Sequence, residues 1–505
     1  MAREAFGNRF TFIAAGIGMA VGAGNIWRFP RVAAEFGGGT FLLVLLLANL
    51  VWAIPLLAAE TLIGRKSRLG TVGALRDFMG RKYTWIGAWV GTVTLGILFY
   101  YTVVAGWGFR YLAYSVTGRV GEGVDSQALW DGFIGNPAQT IFFEAIAVIF
   151  MVLIVYRGLK GGIEKVLQIT IPALFVVLVI LMIRAITLPG AIDGLSFLFV
   201  PEWGRLGSAQ VWLQGFTQMA FSTGAGWGLL LTYAVYTRDR DDITLNASAL
   251  VFGNLLASLL AGTTVLCTIY ALRGEGFASE ALGAGNSGLA FIYLVRLFGD
   301  MPGGVIFASL FFLAFSLATI STLISFFELG IMNLVNMGLT RARAVIGLGV
   351  VAFILGLPSA YNVTFLDNQD FVWGVALLVS GALVSLAVMR YGVERAREEI
   401  NATSDLHLGR WWSWCIRAVP ILFLIMFVWW IYQTITVFSS AEAPWWNPLE
   451  TFSTTTLIVQ WAILFAILYA LNDFLARRVG SGPMTSAADS SSSSSEGVEG
   501  ERVSS

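Results

Sequence analysis

The chain has 505 residues, of which 57% are hydrophobic and 12% charged, about half the charge density of soluble domains. Lys+Arg and Asp+Glu both number 31, a formal net charge of +0, so no basic surface points to nucleic acid. One histidine (His407, in a charged loop) and two cysteines in apolar runs (Cys267 and Cys415) argue against a disulfide framework, a metal-ligand motif, a haem centre and a His relay.

Apolar runs long enough to cross about 30 Å of hydrocarbon recur in chain order at 10–29, 40–63, 83–116, 140–156, 166–183, 211–236, 243–272, 303–337, 344–357, 371–389, 418–437 and 455–471. The first continues into Arg28, Phe29 and Pro30 with no small-residue cleavage site, so no signal peptide is expected. The runs are continuous rather than alternating, which predicts helices and not strands. Lys and Arg crowd 65–82, 157–165, 238–240, 341–343 and 390–410, plus Arg477 and Arg478, and the intervening loops hold fewer. By the positive-inside rule both termini are expected in the cytoplasm, with the chain in the inner membrane. Trp445 and Trp446 fit an outer interfacial belt. After Arg478 the composition turns to serine, with an unbroken run at 490–495. Residues 479–505 are therefore expected to be a disordered cytoplasmic tail.

Two spans differ from the rest. The first carries Gly16, Gly18, Gly22 and Gly24 before Asn25; the sixth carries Ser222, Thr223, Gly224, Gly226 and Gly228 in its middle. Glycine disfavours helix, and unwound backbone survives in a bilayer only where it meets protein or lines a cavity. Glycine-interrupted spans at matching places in two halves point to a transport site at the midplane. Spans one and six each open a run of five, which implies an inverted repeat. The bland alternative is close packing through small residues. Freed carbonyls suit a hard cation such as Na⁺, and free N–H groups suit a carboxylate. The deep hydroxyls and amides to match them are Asn25, Ser222, Asn254, Ser321 and Thr322. Among acidic residues within spans, Glu60 reads as an acceptor steadying the unwound sixth span, and Glu144, near a span end, reads as interfacial.

The residues Gly7-Asn8-Arg9, Gly18 to Gly24 and Asn25-Ile26-Trp27-Arg28-Phe29-Pro30, followed by Gly37-Gly38-Gly39-Thr40-Phe41, Pro55, Glu60, Gly64-Arg65, Tyr100-Tyr101 and Trp107, form a recognisable series. It continues through Arg157-Gly158, Gly161-Gly162-Ile163-Glu164-Lys165, Asp193-Gly194-Leu195, Asp367 and Asp370-Phe371. From about Arg3 to Arg478 the chain resembles the neurotransmitter:sodium symporter family, in particular its bacterial and archaeal leucine-transporter-like amino acid transporters. The resemblance implies an all-α membrane protein of 12 transmembrane helices: a 5+5 inverted repeat with broken helices 1 and 6, plus two C-terminal helices. Residues 1–9 would be a cytoplasmic N-terminus and 10–478 one transporter domain, with repeats at 10–186 and 210–391 and the last two helices at 411–476.

The resemblance also implies a Na⁺-coupled importer of a small neutral amino acid, and two Na⁺ sites. One would use the Ala20 carbonyl, Asn25, Ser222 and Asn254; the other the carbonyls of Gly18, Val21 and Ala318 with the hydroxyls of Ser321 and Thr322. The substrate would meet Met19, Ala20, Gly22, Ala23, Gly24, Ile97, Tyr101, Phe221, Ser222, Gly224, Trp227, Thr322, Leu323 and Phe326, with Tyr101 donating to its carboxylate. Gly22 stands where aminergic relatives hold an acid, which favours a zwitterion. Arg28 and Asp370 resemble an outer gate pair, with Phe221 as lid; Arg3 and Asn336 occupy the inner gate, where Asn336 replaces the usual aspartate. Gln218, Ser222, Asn254 and Ser258 would line a chloride site, weakened because Leu45 replaces an expected tyrosine. A proton-coupled carrier of the same broad fold is the alternative; it usually carries a basic group where Ser321 and Thr322 stand. A channel would need a repeated filter or charge rings, and an enzyme convergent catalytic groups; the sequence has neither.

Overall fold

Asn8 starts the first helix. Its side chain accepts from the Thr11 N–H at 2.9 Å while the Thr11 hydroxyl oxygen accepts from the Asn8 N–H at 3.3 Å, a reciprocal cap that satisfies two end donors. The computed structural model describes residues 5–437, 439–440 and 443–484. The first half comprises α1 (Arg9–Ala20), α2 (Phe29–Glu35), α3 (Gly39–Ala48), α4 (Ile54–Ser67), α5 (Thr71–Met79), α6 (Thr84–Val116), α7 (Ser126–Ile134), α8 (Pro137–Tyr156), α9 (Glu164–Ile186) and α10 (Ala191–Phe199). The second comprises α11 (Ala209–Thr223), α12 (Leu229–Ala234), α13 (Ile243–Gly283), α14 (Gly285–Gly288), α15 (Leu294–Gly299), α16 (Gly304–Asn336), α17 (Arg341–Tyr361), α18 (Val363–Tyr391) and α19 (Val393–Asn401). Then follow α20 (Arg410–Thr436), α21 (Thr454–Ala470) and α22 (Asn472–Arg478). Among the described residues the single β contact is an isolated bridge between Gly38 and Pro201.

Nine described helical segments are long and apolar enough to cross a membrane, and the bent pairs α1–α2 (58°) and α21–α22 (54°) qualify as two more. The interrupted pair α11–α12, which does not meet that length-and-hydropathy test, makes the count consistent with twelve. Burial sorts these spans. The most apolar stretches of the α6 and α16 spans are each 83% buried, against 22% for α20. Apolar side chains on the outer helices, such as Phe142, Ile149 and Leu153 of α8 and Ile421, Ile425 and Val428 of α20, stay exposed; a helix apolar all round with one face outside the protein core is built for lipid. The two halves correspond: each begins with a broken span and places a 33-residue helix, α6 or α16, at the centre.

Both described ends lie on one face. The Arg238 guanidinium donates to the Gly7 carbonyl at 2.8 Å and Arg68, from the end of α4, to the Val235 carbonyl at 3.0 Å. Arg76 of α5 donates to the carbonyls of Val479 and Gly480 at 2.7 and 3.0 Å. The predicted tail therefore begins too early, since residues 479–484 are held to α5 and the end of α16. The rest of the tail, with its serine run, lies outside the described residues.

Candidate functional site

The first span ends where its sequence stops favouring helix. After Ala20 the backbone at Val21 turns extended (φ −81°, ψ 99°), and a π-helical turn at Gly24–Arg28 leads into α2. Helix ends leave backbone groups without partners, and side chains meet some of them here. The Gly22 N–H donates to Asn25 Oδ1 at 3.0 Å and the Ala23 N–H to the Tyr101 hydroxyl oxygen at 2.8 Å. In the sixth span the helix is lost between Thr223 and Leu229, where Gly224, Gly226 and Gly228 take φ of 71°, 94° and 76°, a region that favours glycine. Glu60, fully buried on α4, accepts from the N–H groups of Gly226 at 2.6 Å and Leu231 at 3.3 Å.

Two oxygen clusters flank these breaks. At one, the Ser321 hydroxyl lies 2.9 Å from the Ala318 carbonyl and 3.4 Å from that of Val21. The Thr322 hydroxyl lies 3.2 Å, 3.3 Å and 3.4 Å from the carbonyls of Ala318, Val21 and Gly18. Two hydroxyl protons thus face three carbonyls, and Thr322 shares one proton among contacts longer than the usual O–H···O distance. Such a surplus of acceptors fits a hard cation. The sequence-predicted set of Gly18, Val21, Ala318, Ser321 and Thr322 is brought together completely.

The other cluster is assembled differently from expectation. Asn25 Nδ2 lies 2.9 Å from Ser222 Oγ, 2.8 Å from Asn254 Oδ1 and 2.8 Å from Ser258 Oγ. Its oxygen, expected among the ion ligands, instead accepts from Gly22. The Asn254 oxygen also lies 3.2 Å from the Ala20 carbonyl and 3.1 Å from that of Ser222. Exchanging the Asn254 amide O and N turns both contacts into hydrogen bonds, but sets its NH₂ 2.8 Å from the Asn25 NH₂, donor against donor. A cation between the Asn254 oxygen and the two carbonyls relieves the crowding without that exchange.

Between the clusters lies a cavity of about 70 Å³ lined by Met19, Ala20, Gly22, Gly24, Asn25, Ile97, Tyr101, Phe221, Gly224, Trp227, Thr322 and Phe326. Trp227 stacks on Phe326 (ring centroids 5.6 Å apart, 14°) and Tyr101 meets Phe326 edge-on at 5.6 Å. Gly22 has no room for more: a Cβ there would sit 2.7 Å from the Tyr101 hydroxyl and 2.8 Å from that of Thr322. Three predicted lining residues do not line this space. Leu323 is wholly buried, one helical step round α16 from Thr322; Ala23 contributes its N–H to Tyr101; Ser222 turns to the amide cluster. Sequence reasoning missed Trp27, Tyr100 and Asn286 as lining. Tyr100 was readable from its place beside Tyr101; Asn286 sits between α13 and the next span, where no periodicity marks it.

Arg28, Asp370 and Phe221 also line a vestibule of about 410 Å³ above the cavity. The predicted gate pair is not joined here: Arg28 donates to Gln218 and lies 4.6 Å over the Phe221 ring, while Asp370 accepts from the Tyr100 hydroxyl at 2.8 Å. On the opposite face Arg3 lies outside the described residues. Asn336 accepts from the Gly70 N–H at 2.6 Å through its side chain and from the Gly480 N–H at 3.0 Å through its carbonyl, so it ties loops together. That face holds a stronger contact that the sequence did not reveal. Buried Glu328 accepts from the Tyr236 hydroxyl at 2.5 Å and from both terminal nitrogens of Arg341 at 2.9 and 2.7 Å.

The chain matches the family model described as "Sodium:neurotransmitter symporter family" over residues 3–123 and 132–474. It is 28% identical over 444 residues to the uncharacterized sodium-dependent transporter YhdH of Bacillus subtilis, covering 83% of this chain and 96% of that one. It is 31% identical over 448 residues to an uncharacterized sodium-dependent transporter of Methanocaldococcus jannaschii, covering 84% and 89%. Among solved structures it is similar to MhsT in complex with L-phenylalanine, with a TM-score of 0.76 and 31% identity over 85% of this chain and 99% of that one.

Proposed function

Because the chain belongs to the sodium:neurotransmitter symporter family, a family of transporters and not of enzymes, we propose that it imports a small neutral amino acid, hydrophobic or aromatic, together with two Na⁺ ions. The observation that carries this reading is the placement of Thr322. Its hydroxyl belongs to the cluster of three carbonyls and two hydroxyls, and its side chain also lines the cavity. An ion that fixes Thr322 and the Val21 turn therefore also fixes the Gly22–Tyr101 corner where a carboxylate binds, and the coupling is reciprocal. The Trp227–Phe326 stack and the lack of an acid at Gly22 favour a zwitterion with an apolar side chain, in keeping with the phenylalanine bound to MhsT.

With the Lys- and Arg-rich face in the cytoplasm, the vestibule opens outward and α1, α2, α11 and α12 move against α6 and α16 around the midplane site. One Na⁺ crossing 100 mV releases about 2.3 kcal/mol, and a tenfold gradient adds about 1.4 kcal/mol. Two ions then supply roughly 7 kcal/mol, enough for about 10⁵-fold accumulation.

Uptake of radiolabelled neutral amino acids into proteoliposomes is the test. An imposed Na⁺ gradient should drive accumulation, and uptake that persists when Na⁺ is replaced by choline overturns the reading. Chloride assistance rests on one observation: Gln218 Nε2, one turn from Ser222 on α11, is buried with no acceptor from the protein. Gluconate in place of chloride should then slow uptake; an unchanged rate removes chloride alone.

A further inference from the structure

Glu144 is the one acidic residue of α8, and where an interfacial carboxyl would meet water it is instead 0% exposed, packed against α6 and α17. Its slot is made by glycine. A Cβ at Gly356 on α17 would run into Glu144 Oε1 and come within 2.8 Å of the Phe99 carbonyl, and one at Gly106 on α6 would meet the Glu144 backbone nitrogen at 2.8 Å.

The hydrogen bonds inside this slot can be counted. Thr102 Oγ1 lies 2.8 Å from the Phe99 carbonyl and 3.2 Å from Glu144 Oε1. A threonine hydroxyl has one proton to give, and the carbonyl, at the shorter distance, can only accept. The contact between Thr102 and Glu144 is then a hydrogen bond only if Glu144 supplies the proton. Oε2 has no partner from the protein. An ionised carboxylate here would have neither a donor nor a counter-ion, an arrangement that buried charges avoid.

The surrounding charged and titratable groups are engaged elsewhere. On α6, Arg110 donates to Gln139 at 2.7 Å and lies over the rings of Tyr114 and Phe143, while Tyr100 and Tyr101 face the cavity. The α17 sequence between Arg343 and Tyr361 has no titratable side chain. Glu328 of α16 is paired with Arg341, Asp131 of α7 accepts from Gln127, and Lys160, beyond the far end of α8, is exposed.

We propose that Glu144 is a proton-binding site: a neutral carboxylic acid that donates from Oε1 to Thr102 and keeps its proton throughout the transport cycle. It pins the helices that stay fixed while the broken spans move, and it carries no coupling proton.

Infrared spectroscopy of the full-length protein in proteoliposomes tests this. At about pH 9, where ordinary carboxyls are ionised, the wild-type spectrum should contain a protonated carboxyl C=O band that is missing in Glu144→Gln. Thr102→Val should shift that band without removing it, and this reports on Glu144 even if the glutamine variant folds poorly. Glu144→Gln keeps a donor toward Thr102, so its Na⁺-driven uptake should show the wild-type pH profile. A wild-type spectrum with no such band means that Glu144 is ionised and overturns the proposal. So does a changed pH profile in Glu144→Gln, which would mean that the proton moves.

Discussion

Glu60 and Gly226 are joined across the middle of the fold: the carboxylate accepts the glycine N–H at 2.6 Å, with the Leu231 N–H on its other oxygen at 3.3 Å. One side chain on α4 thus replaces part of the ladder that the sixth span loses between α11 and α12. Glu60→Gln presents an NH₂ group to one of these donors and leaves an N–H unsatisfied, at a cost of about 1–3 kcal/mol. Substrate affinity should fall roughly tenfold or more, measured by scintillation proximity binding, with the protein still monodisperse. Unchanged affinity would show that the break holds without its acceptor.

Ser321 and Thr322 supply the two hydroxyls of the five-oxygen cluster. Thr322→Ala should raise the Na⁺ concentration for half-maximal uptake by roughly tenfold, the scale of one lost ligand oxygen. Thr322→Ser keeps the oxygen and should stay near wild type. If serine and alanine behave alike, the hydroxyl is not an ion ligand.

Gly22 faces the Tyr101 and Thr322 hydroxyls with no space for a methyl group. Gly22→Ala should abolish uptake, since overpacking costs about 1–3 kcal/mol and falls on the corner shared by ion and substrate. Thermal stability without substrate should fall by that same about 1–3 kcal/mol, and stabilisation by added amino acid should disappear as well.

The Tyr101 hydroxyl meets the Ala23 N–H at 2.8 Å. Tyr101→Phe leaves that N–H without its partner and removes the proposed donor to the substrate carboxylate. A loss of roughly tenfold or more in substrate affinity is expected, with a smaller effect on Na⁺ binding measured without substrate. Equal losses for both ligands would place Tyr101 in the ion site instead.

On the terminal face Glu328 joins Tyr236, just past α12, to Arg341 of α17. Glu328→Gln weakens both contacts and should favour opening on this side. Spin-label distances across that face should lengthen under Na⁺-free conditions; an unchanged distribution would locate the latch elsewhere.

Much of this was legible in the sequence because a bilayer restricts what a chain can do. Twelve apolar runs could become little other than helices, and Gly22 and Gly24 beside Asn25, or Gly224 to Gly228 beside Ser222, pointed to broken backbone at depth more than to close packing through small residues. The grouping of the Gly18, Val21 and Ala318 carbonyls with Ser321 and Thr322 was implied by the family resemblance, and three of its five oxygens depend on backbone position instead of side-chain direction. What depended on direction was not legible. Asn25 turns its oxygen to Gly22 because its nitrogen is claimed by Ser222, Asn254 and Ser258, about 200 residues on, and Arg28 reaches Gln218 instead of Asp370; Leu323 is buried off the cavity lining. Glu144 is the sharpest case. Its position in α8 placed it near a membrane surface, and only the approach of α6 and α17 through Gly106 and Gly356 sealed it from water, with a single hydroxyl for company.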